Sequence, residues 1–213
     1  MEEIIVNPYQ IESTSMDIIE GLLPDLQVTP EEKKVIKRVV HTTADPEFAK
    51  LLKFHPKAIE SGLAALKKGC KVYTDVTMIQ AGVNKRKLGA LGGSVECVIA
   101  DESIKNEAQR LGITRAMLSM RRLGEKLNGS IIAIGNAPTA LFELHDLITK
   151  GVIQPALVIG VPVGFVGAKE SKALFAELDT PYIVTCGPKG GSTIAVSITN
   201  ALIYLLSEEE KFA

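Results

Sequence analysis

The sequence predicts an α/β fold: one three-layer domain over residues 1–213, with a mostly parallel sheet of about five strands, helices on both faces and an N-terminal helical segment. Three observations predict it. From about residue 70 onward, short apolar runs alternate with helical patterns, as in repeated βαβ units. Those runs are continuously apolar, which marks strands buried on both faces. The 213 residues, 46% hydrophobic and 23% charged, suffice for one sizeable core, and no linker divides the chain.

The elements follow in order. A first helix is expected over 13–22. Thr29-Pro30-Glu31-Glu32 opens a second: Thr29 is the N-cap, Pro30 takes the first helical position and Glu32 completes a capping box. Val35, Ile36, Val39 and Val40 form its apolar stripe. Pro46 disfavours helix at Asp45, so the helix ends near Ala44. A third helix covers 56–68, with Gly69 as its stop. Strands are expected at 72–74, 95–99, 130–134, 156–159 and 182–185. Helices over 106–127, 138–150, 168–178 and 193–206 separate and follow the later ones.

Composition excludes several classes. Lys plus Arg number 24 against 25 Asp plus Glu, for a net charge of -1, which gives no support to a generic nucleic-acid or acidic-membrane binder. Cys70, Cys97 and Cys186 are widely spaced and form no CxxC, so neither a zinc ribbon nor a disulfide scaffold is indicated and a reduced compartment fits. The first ten residues hold two Glu and no basic stretch ahead of an apolar one, which does not read as a signal peptide. No run of about 18 apolar residues exists to span a membrane. The expected location is the cytoplasm.

An open parallel sheet places its site outside the carboxyl ends of the strands. That rule selects the loops at 75–78, 101–103, 135–139, 161–167 and 186–192. The third and fourth read as helix starts that expose backbone N–H donors. His41 is the most informative side chain. At 100° per residue it points almost directly away from the apolar stripe of its helix and shares the opposite face with Lys34 and Arg38. Two readings stand: a solvated basic face, or one wall of a crevice for an anionic ligand. In the second, His41 is placed to donate a proton. His55, ahead of Pro56, reads as a cap or surface residue; His145 lies within a helix, and no metal-binding spacing surrounds either. Gly187-Pro188-Lys189-Gly190-Gly191-Ser192 resembles a phosphate cradle but is not GxxxxGK[ST], and residues 160–167 are not GxGxxG. Both read first as tight strand-to-helix turns. Cys186 is a candidate nucleophile without an identifiable base, or else a structural thiol. Lys85-Arg86-Lys87, Arg115, Arg121 and Arg122 are further cations available to carboxylates or to solvent.

Several segments together resemble the precorrin-8X methylmutase family of corrin-ring (vitamin B12) biosynthesis. They are Arg38-Val39-Val40-His41, the run from Ile131 through Gly135-Asn136-Ala137-Pro138-Thr139 to Leu141, and Gly160-Val161-Pro162-Val163-Gly164-Phe165-Val166-Gly167 continuing to Lys172. Thr114-Arg115 and Gly190-Gly191-Ser192 also match, and the likeness runs in order from about Ile11 to Leu202. The resemblance implies a homodimeric isomerase that moves a methyl group between adjacent ring-C carbons of precorrin-8X or cobalt-precorrin-8, giving hydrogenobyrinate or cobyrinate. It implies no external methyl donor and no cofactor, any cobalt belonging to the substrate. It places the proton donor and acceptor on His41 and substrate contacts on Ser15 and Arg38. Matching motifs add Arg115, Gly135, Asn136 and Thr139 to the site. The chain departs from the family pattern at Asn84-Lys85-Arg86-Lys87-Leu88, where charge is kept but bidentate Arg geometry is lost. It departs again at Cys186-Gly187-Pro188-Lys189, which replaces an Arg-Gly-Arg pattern.

The residues support that reading independently. A precorrin is a broad macrocycle edged with acetates and propionates, which needs an apolar slot rimmed by cations and N–H groups. Two alternatives compete. One is a nucleotide-binding α/β enzyme using the loop at 186–192, which ATP or NAD would stabilise. The other is a tetrapyrrole carrier that holds the ring without converting it.

Overall fold

The computed structural model describes residues 5–209, and side chains as far as residue 207. Residues 1–4, part of the segment read as carrying no leader, and residues 210–213 lie outside the described residues. The expected α/β architecture is present: six strands form one sheet in the order β1-β6-β5-β4-β2-β3. These are β1 (Leu52–Phe54), β2 (Lys71–Thr74), β3 (Ser94–Glu96), β4 (Ile131–Ile134), β5 (Leu157–Gly160) and β6 (Tyr182–Thr185). Every pairing is parallel except that of β1 with β6, in which Leu52 stands opposite Thr185 and Phe54 opposite Ile183.

Eleven α-helices accompany the sheet among the described residues. α1 (Pro8–Leu22) and α2 (Pro30–Thr43) precede it, and α3 (Phe48–Leu51) and α4 (Ala58–Lys67) flank β1. α5 (Thr77–Gly82) and α6 (Lys85–Ala90) join β2 to β3; α7 (Glu102–Leu111) and α8 (Arg115–Leu123) join β3 to β4. α9 (Pro138–Thr149), α10 (Ala168–Phe175) and α11 (Ser192–Glu209) follow β4, β5 and β6.

The strands read as continuously apolar because successive side chains enter different cores. Ile131 and Ala133 of β4 pack in the core shared with α2, α4 and α11, whereas Ile132 and Ile134 pack in the core under α8, α9 and α10. The second helix forms as expected. Thr29 Oγ1 accepts from the Glu32 N–H at 3.2 Å, Glu32 Oε2 accepts from the Thr29 N–H at 2.8 Å, and Ala44 ends the helix with a left-handed φ of 52°. Val35, Ile36, Val39 and Val40 are buried, and each such side chain contributes roughly 1.5–3 kcal/mol.

Several expectations change: the strand expected over 95–99 is the shorter β3, and the helix expected from 106 already starts at Glu102. β1 was not foreseen: three residues between a single helical turn and Pro56 are too few for a periodicity to show, and the pairing with β6 makes them a strand. The first helix begins at Pro8, because Asn7 caps it by accepting from the N–H groups of Tyr9 and Gln10. The helix expected over 106–127 is two helices and a short 3₁₀ turn at Gly124–Leu127. Gly112 closes α7 at φ 65°, and Thr114 caps α8 by accepting from the Met117 N–H at 3.2 Å.

Candidate active site

The carboxyl ends of the central strands meet at one end of the molecule, and close backbone approach assembles the loops there. The Gly191 N–H donates to the Val161 carbonyl at 2.8 Å, and the Gly164 N–H to the Pro188 carbonyl at 3.1 Å. A Cβ on Gly190 would lie 2.2 Å from the Val161 oxygen, and one on Gly135 would lie 2.7 Å from the Ser192 Cα. These glycines let loops touch loops. The run at 187–192, which looks like a phosphate cradle in sequence, therefore spends its glycine on packing against the β5 loop.

The loop at 135–139 holds a correction. Its backbone donors are not offered to a ligand: the carboxylate of Asp75 takes the N–H groups of Gly135 at 3.1 Å, Asn136 at 2.9 Å and Ala137 at 2.7 Å. Asp75 is fully buried at the end of β2. Burial pushes its pKa up, and the three N–H donors pull it back. Sequence reasoning placed Asp75 in a site loop but missed this role; an acid directly after a buried strand was the available signal.

A cleft of about 340 Å³ opens between α2, α5 and α11. Arg38, His41 and Thr42 form one wall, and Met78, Thr193 and Val196 are among the residues opposite. His41 is exposed, and its side chain takes part in no hydrogen bond among the described residues. Thr42 Oγ1, next to it, lies 3.0 Å from Ser197 Oγ, which ties the end of α2 to α11. Arg38 pairs with Glu12 at 2.6 Å and lies over the Tyr204 ring, 5.3 Å from its centre. The crevice reading of the Lys34, Arg38 and His41 face thus has a geometric basis.

The other expected site residues do not line this cleft. Ser15 is half-buried on α1, and its hydroxyl donates to the Ile11 carbonyl at 2.7 Å. Arg115 is exposed at the start of α8, where Thr114 Oγ1 is 2.6 Å from Thr139 Oγ1 on α9. Asn136 is exposed and Thr139 half-buried, whereas Gly135 is buried. Arg38 and His41 are thus brought together, and Arg115, Asn136 and Thr139 gather around the start of α9.

Several candidate cations have partners of their own. Arg121 grips the buried Glu143 with two bonds of 2.8 Å, and Arg122 pairs with Glu107. Lys87 donates to Ser207 Oγ at 3.0 Å and lies 4.4 Å from the Tyr204 ring centre. Lys189 binds Asp45 and Glu47, each at 2.7 Å, and holds the Asp45 carboxyl below its ordinary range. The Lys189 cation is thus engaged by acids of its own chain. His55 is neither a cap nor a surface residue: it is buried ahead of α4, its Nδ1 accepts from the Lys57 N–H at 3.1 Å and its Nε2 lies 3.3 Å from Asp179.

Cys186 lines a separate cavity of about 410 Å³ beside α10, together with Lys53, Lys169 and Lys172. Lys172 is buried, and it donates to Thr185 Oγ1 at 3.1 Å and to the Lys189 carbonyl at 2.7 Å. Burial holds its pKa down to about 8. Among the described residues no group of three or more His, Cys, Asp or Glu could hold a metal ion, and no helix is long and apolar enough to cross a membrane.

A mostly parallel sheet with a partly apolar cleft that holds Arg38 and His41 is the architecture of an α/β enzyme. The sequence profile of precorrin-8X methylmutases matches residues 10–205. The chain is 45% identical over 202 residues to a cobalt-precorrin-8 methylmutase of Priestia megaterium, covering 95% of this chain and 90% of that protein. It is 38% identical over 186 residues to a precorrin-8X methylmutase of Pseudomonas aeruginosa, covering 86% of each. A crystal structure of precorrin-8X methylmutase from Thermus thermophilus superposes with a TM-score of 0.88 at 37% identity, over 94% of this chain and 97% of that one. The chain belongs to the precorrin-8X methylmutase family.

Proposed function

We propose that the chain is the isomerase of cobalamin biosynthesis that moves a methyl group between adjacent ring-C carbons of precorrin-8X or cobalt-precorrin-8. Family membership supports the reaction. The observation that carries the site is the shared cleft of His41 and Arg38 at the carboxyl edge of the sheet. The relatives at 44–46% identity bear the cobalt-precorrin-8 name, which supports the cobalt-bearing ring as the preferred substrate.

The chemistry asks little of the protein beyond placement. The methyl group leaves one ring carbon and arrives at its neighbour, so no external donor or cofactor enters, and any cobalt is carried in by the substrate. The barrier falls when a proton is placed on the conjugated ring and the developing charge is held by fixed groups. His41 delivers and recovers that proton. Arg38 and Ser15 orient the macrocycle through its carboxylates, and Arg115, Asn136 and Thr139 receive the far rim. Gly135 shapes the loop that carries Asn136 and leads to Thr139. The 340 Å³ cleft is near the lower end of small-molecule pockets, roughly 300–1,000 Å³, so it takes an edge of the ring.

The same reading makes the whole chain one functional domain, supported by the single sheet that all six strands share. It makes the protein a cytoplasmic homodimer that binds neither nucleic acid nor membrane. Exposed Phe165 and Val166 on the loop after β5 support self-association there. The test is anaerobic incubation with precorrin-8X and, separately, cobalt-precorrin-8, followed by ultraviolet-visible spectroscopy. A changed chromophore reports the shift, and the faster substrate identifies the route. Binding without conversion of either would replace the isomerase by a carrier.

A further inference from the structure

The cavity of about 410 Å³ beside α10 shares no lining residue with the His41 cleft. Three lysines line it, Lys53 from β1 and Lys169 and Lys172 from α10, and Glu177 is the one acid among the described residues that do so. Lys53 and Lys169 are exposed, and their side chains have no hydrogen-bond or ion-pair partner among the described residues. Lys172 is 1% exposed, and its amine is held by two neutral oxygens, Thr185 Oγ1 at 3.1 Å and the Lys189 carbonyl at 2.7 Å. A buried cation is ordinarily matched by an anion. Among the described residues no carboxylate bonds to this one. Burial holds its pKa down to about 8, which still leaves it mostly charged at neutral pH. Ala173, Ala176 and Val184 give the same cavity an apolar wall.

We propose that this cavity is a binding site for a phosphate-class dianion, free or as the phosphoryl group of a small phosphomonoester. Three amines against one carboxylate leave a surplus of two positive charges. A phosphoryl group brings about 1.5 to 2 negative charges at neutral pH, which meets that surplus, whereas a single carboxylate brings half of it. An ammonium is a compact charge with three donors, so several of them can surround an oxyanion without a fixed fork geometry. Lys172 supplies the buried contact through the hydrogen that its two oxygen partners leave over. Lys53 and Lys169 close on the ion from the exposed side. The volume falls within the range of small-molecule pockets, roughly 300–1,000 Å³, so a short carbon body fits against the apolar wall beside the phosphoryl group. The inference stands apart from the methylmutase reading, because no residue placed in that machinery lines this cavity.

Cys186 lines the same cavity, so the rate of its alkylation by iodoacetamide, read by peptide mass spectrometry, locates binding there. Inorganic phosphate and phenyl phosphate should slow alkylation of Cys186 and leave that of Cys97 unchanged, against sodium chloride at equal ionic strength as the reference. Calorimetry gives the dissociation constants, and circular dichroism verifies that each variant is folded. Lys53→Met and Lys169→Met should each weaken binding about three- to fivefold, and the two together about ten- to twentyfold. Lys105→Met combined with Lys126→Met removes the same charge elsewhere and should leave the affinity unchanged. Tighter binding of phenyl phosphate identifies a phosphomonoester as the ligand, and tighter binding of inorganic phosphate the free ion. No protection beyond that of chloride, or equal losses in the two lysine pairs, overturns the site and leaves the methylmutase reading intact. Protection of Cys186 by cobyrinate but by neither phosphate also overturns it, because the cavity would then be an extension of the substrate's own site.

Discussion

At the scale of single residues, His41 is set apart by what it does not touch. Its imidazole lines the cleft with no hydrogen-bond partner among the described residues, which suits it to meet a ligand. A well-placed acid contributes about 10²–10⁴-fold, so His41→Ala should lower turnover by that range while substrate binding persists. A loss of less than about tenfold at saturating substrate would remove His41 from that role. Asp75 is its opposite, saturated and buried. Asp75→Asn keeps the shape but turns one acceptor oxygen into a donor facing N–H groups. Leaving such groups unsatisfied costs about 1–3 kcal/mol, to be read as a lower urea midpoint at unchanged slope. Wild-type stability would mean that the loop does not depend on that carboxylate.

At the scale of elements, ends matter more than middles. α2 carries both His41 and Arg38 because Arg38 and His41 are three residues apart, on the face opposite its buried stripe. Its far end is anchored by Lys189 through Asp45 and Glu47, and the loop bearing Lys189 is held in turn by Lys172. Lys172 has a pH signature. Its pKa is about 8 in the fold against an ordinary 10.5. Between those values the unfolded chain holds more protons than the folded one, so this lysine makes stability rise with pH through that window. Melting temperatures of the wild type and Lys172→Met should therefore shift relative to each other from pH 8 to 10.5, in favour of the wild type. Parallel curves would exclude that contribution. α8 and α9 are joined by the Arg121–Glu143 fork, whose acid is buried and whose guanidinium is half-exposed. Arg121→Met strands a buried carboxylate; removing a partner from a fully buried pair costs about 3–5 kcal/mol, and the exposure of Arg121 lowers that to about 2 kcal/mol. Arg121→Lys should recover only part of it, since the two bonds to Glu143 need the planar fork.

At the scale of the whole molecule, the end that holds the strand-end loops also presents large apolar side chains. Phe165 is 99% exposed and Val166 90%, on the loop that packs against residues 188–191. Large exposed apolar side chains beside a site mark a surface that expects a partner, and a second copy is the partner the family resemblance implies. Sedimentation of the wild type at micromolar concentration should give a dimer, and Phe165→Asp should shift it to monomer with the fold retained. A dimer untouched by that change would move the interface elsewhere.

The parts of this protein legible in sequence are those decided by nearest neighbours in the chain. The α2 capping box and its stripe, the apolar strands and the direction of His41 all follow from spacing and local chemistry, and the family-like motifs fall on the loops at the strand ends. What stayed hidden depends on partners far away in sequence. β1 is a strand because β6 lies beside it; the donors of 135–137 are spent because Asp75 arrives from another strand; Arg38 meets Glu12 because α1 folds across α2. A residue type and its periodicity say which way a side chain points from its own backbone. Only the tertiary structure decides what stands in that direction, because contacts between distant segments are set by how layers pack, and packing leaves no period in the chain.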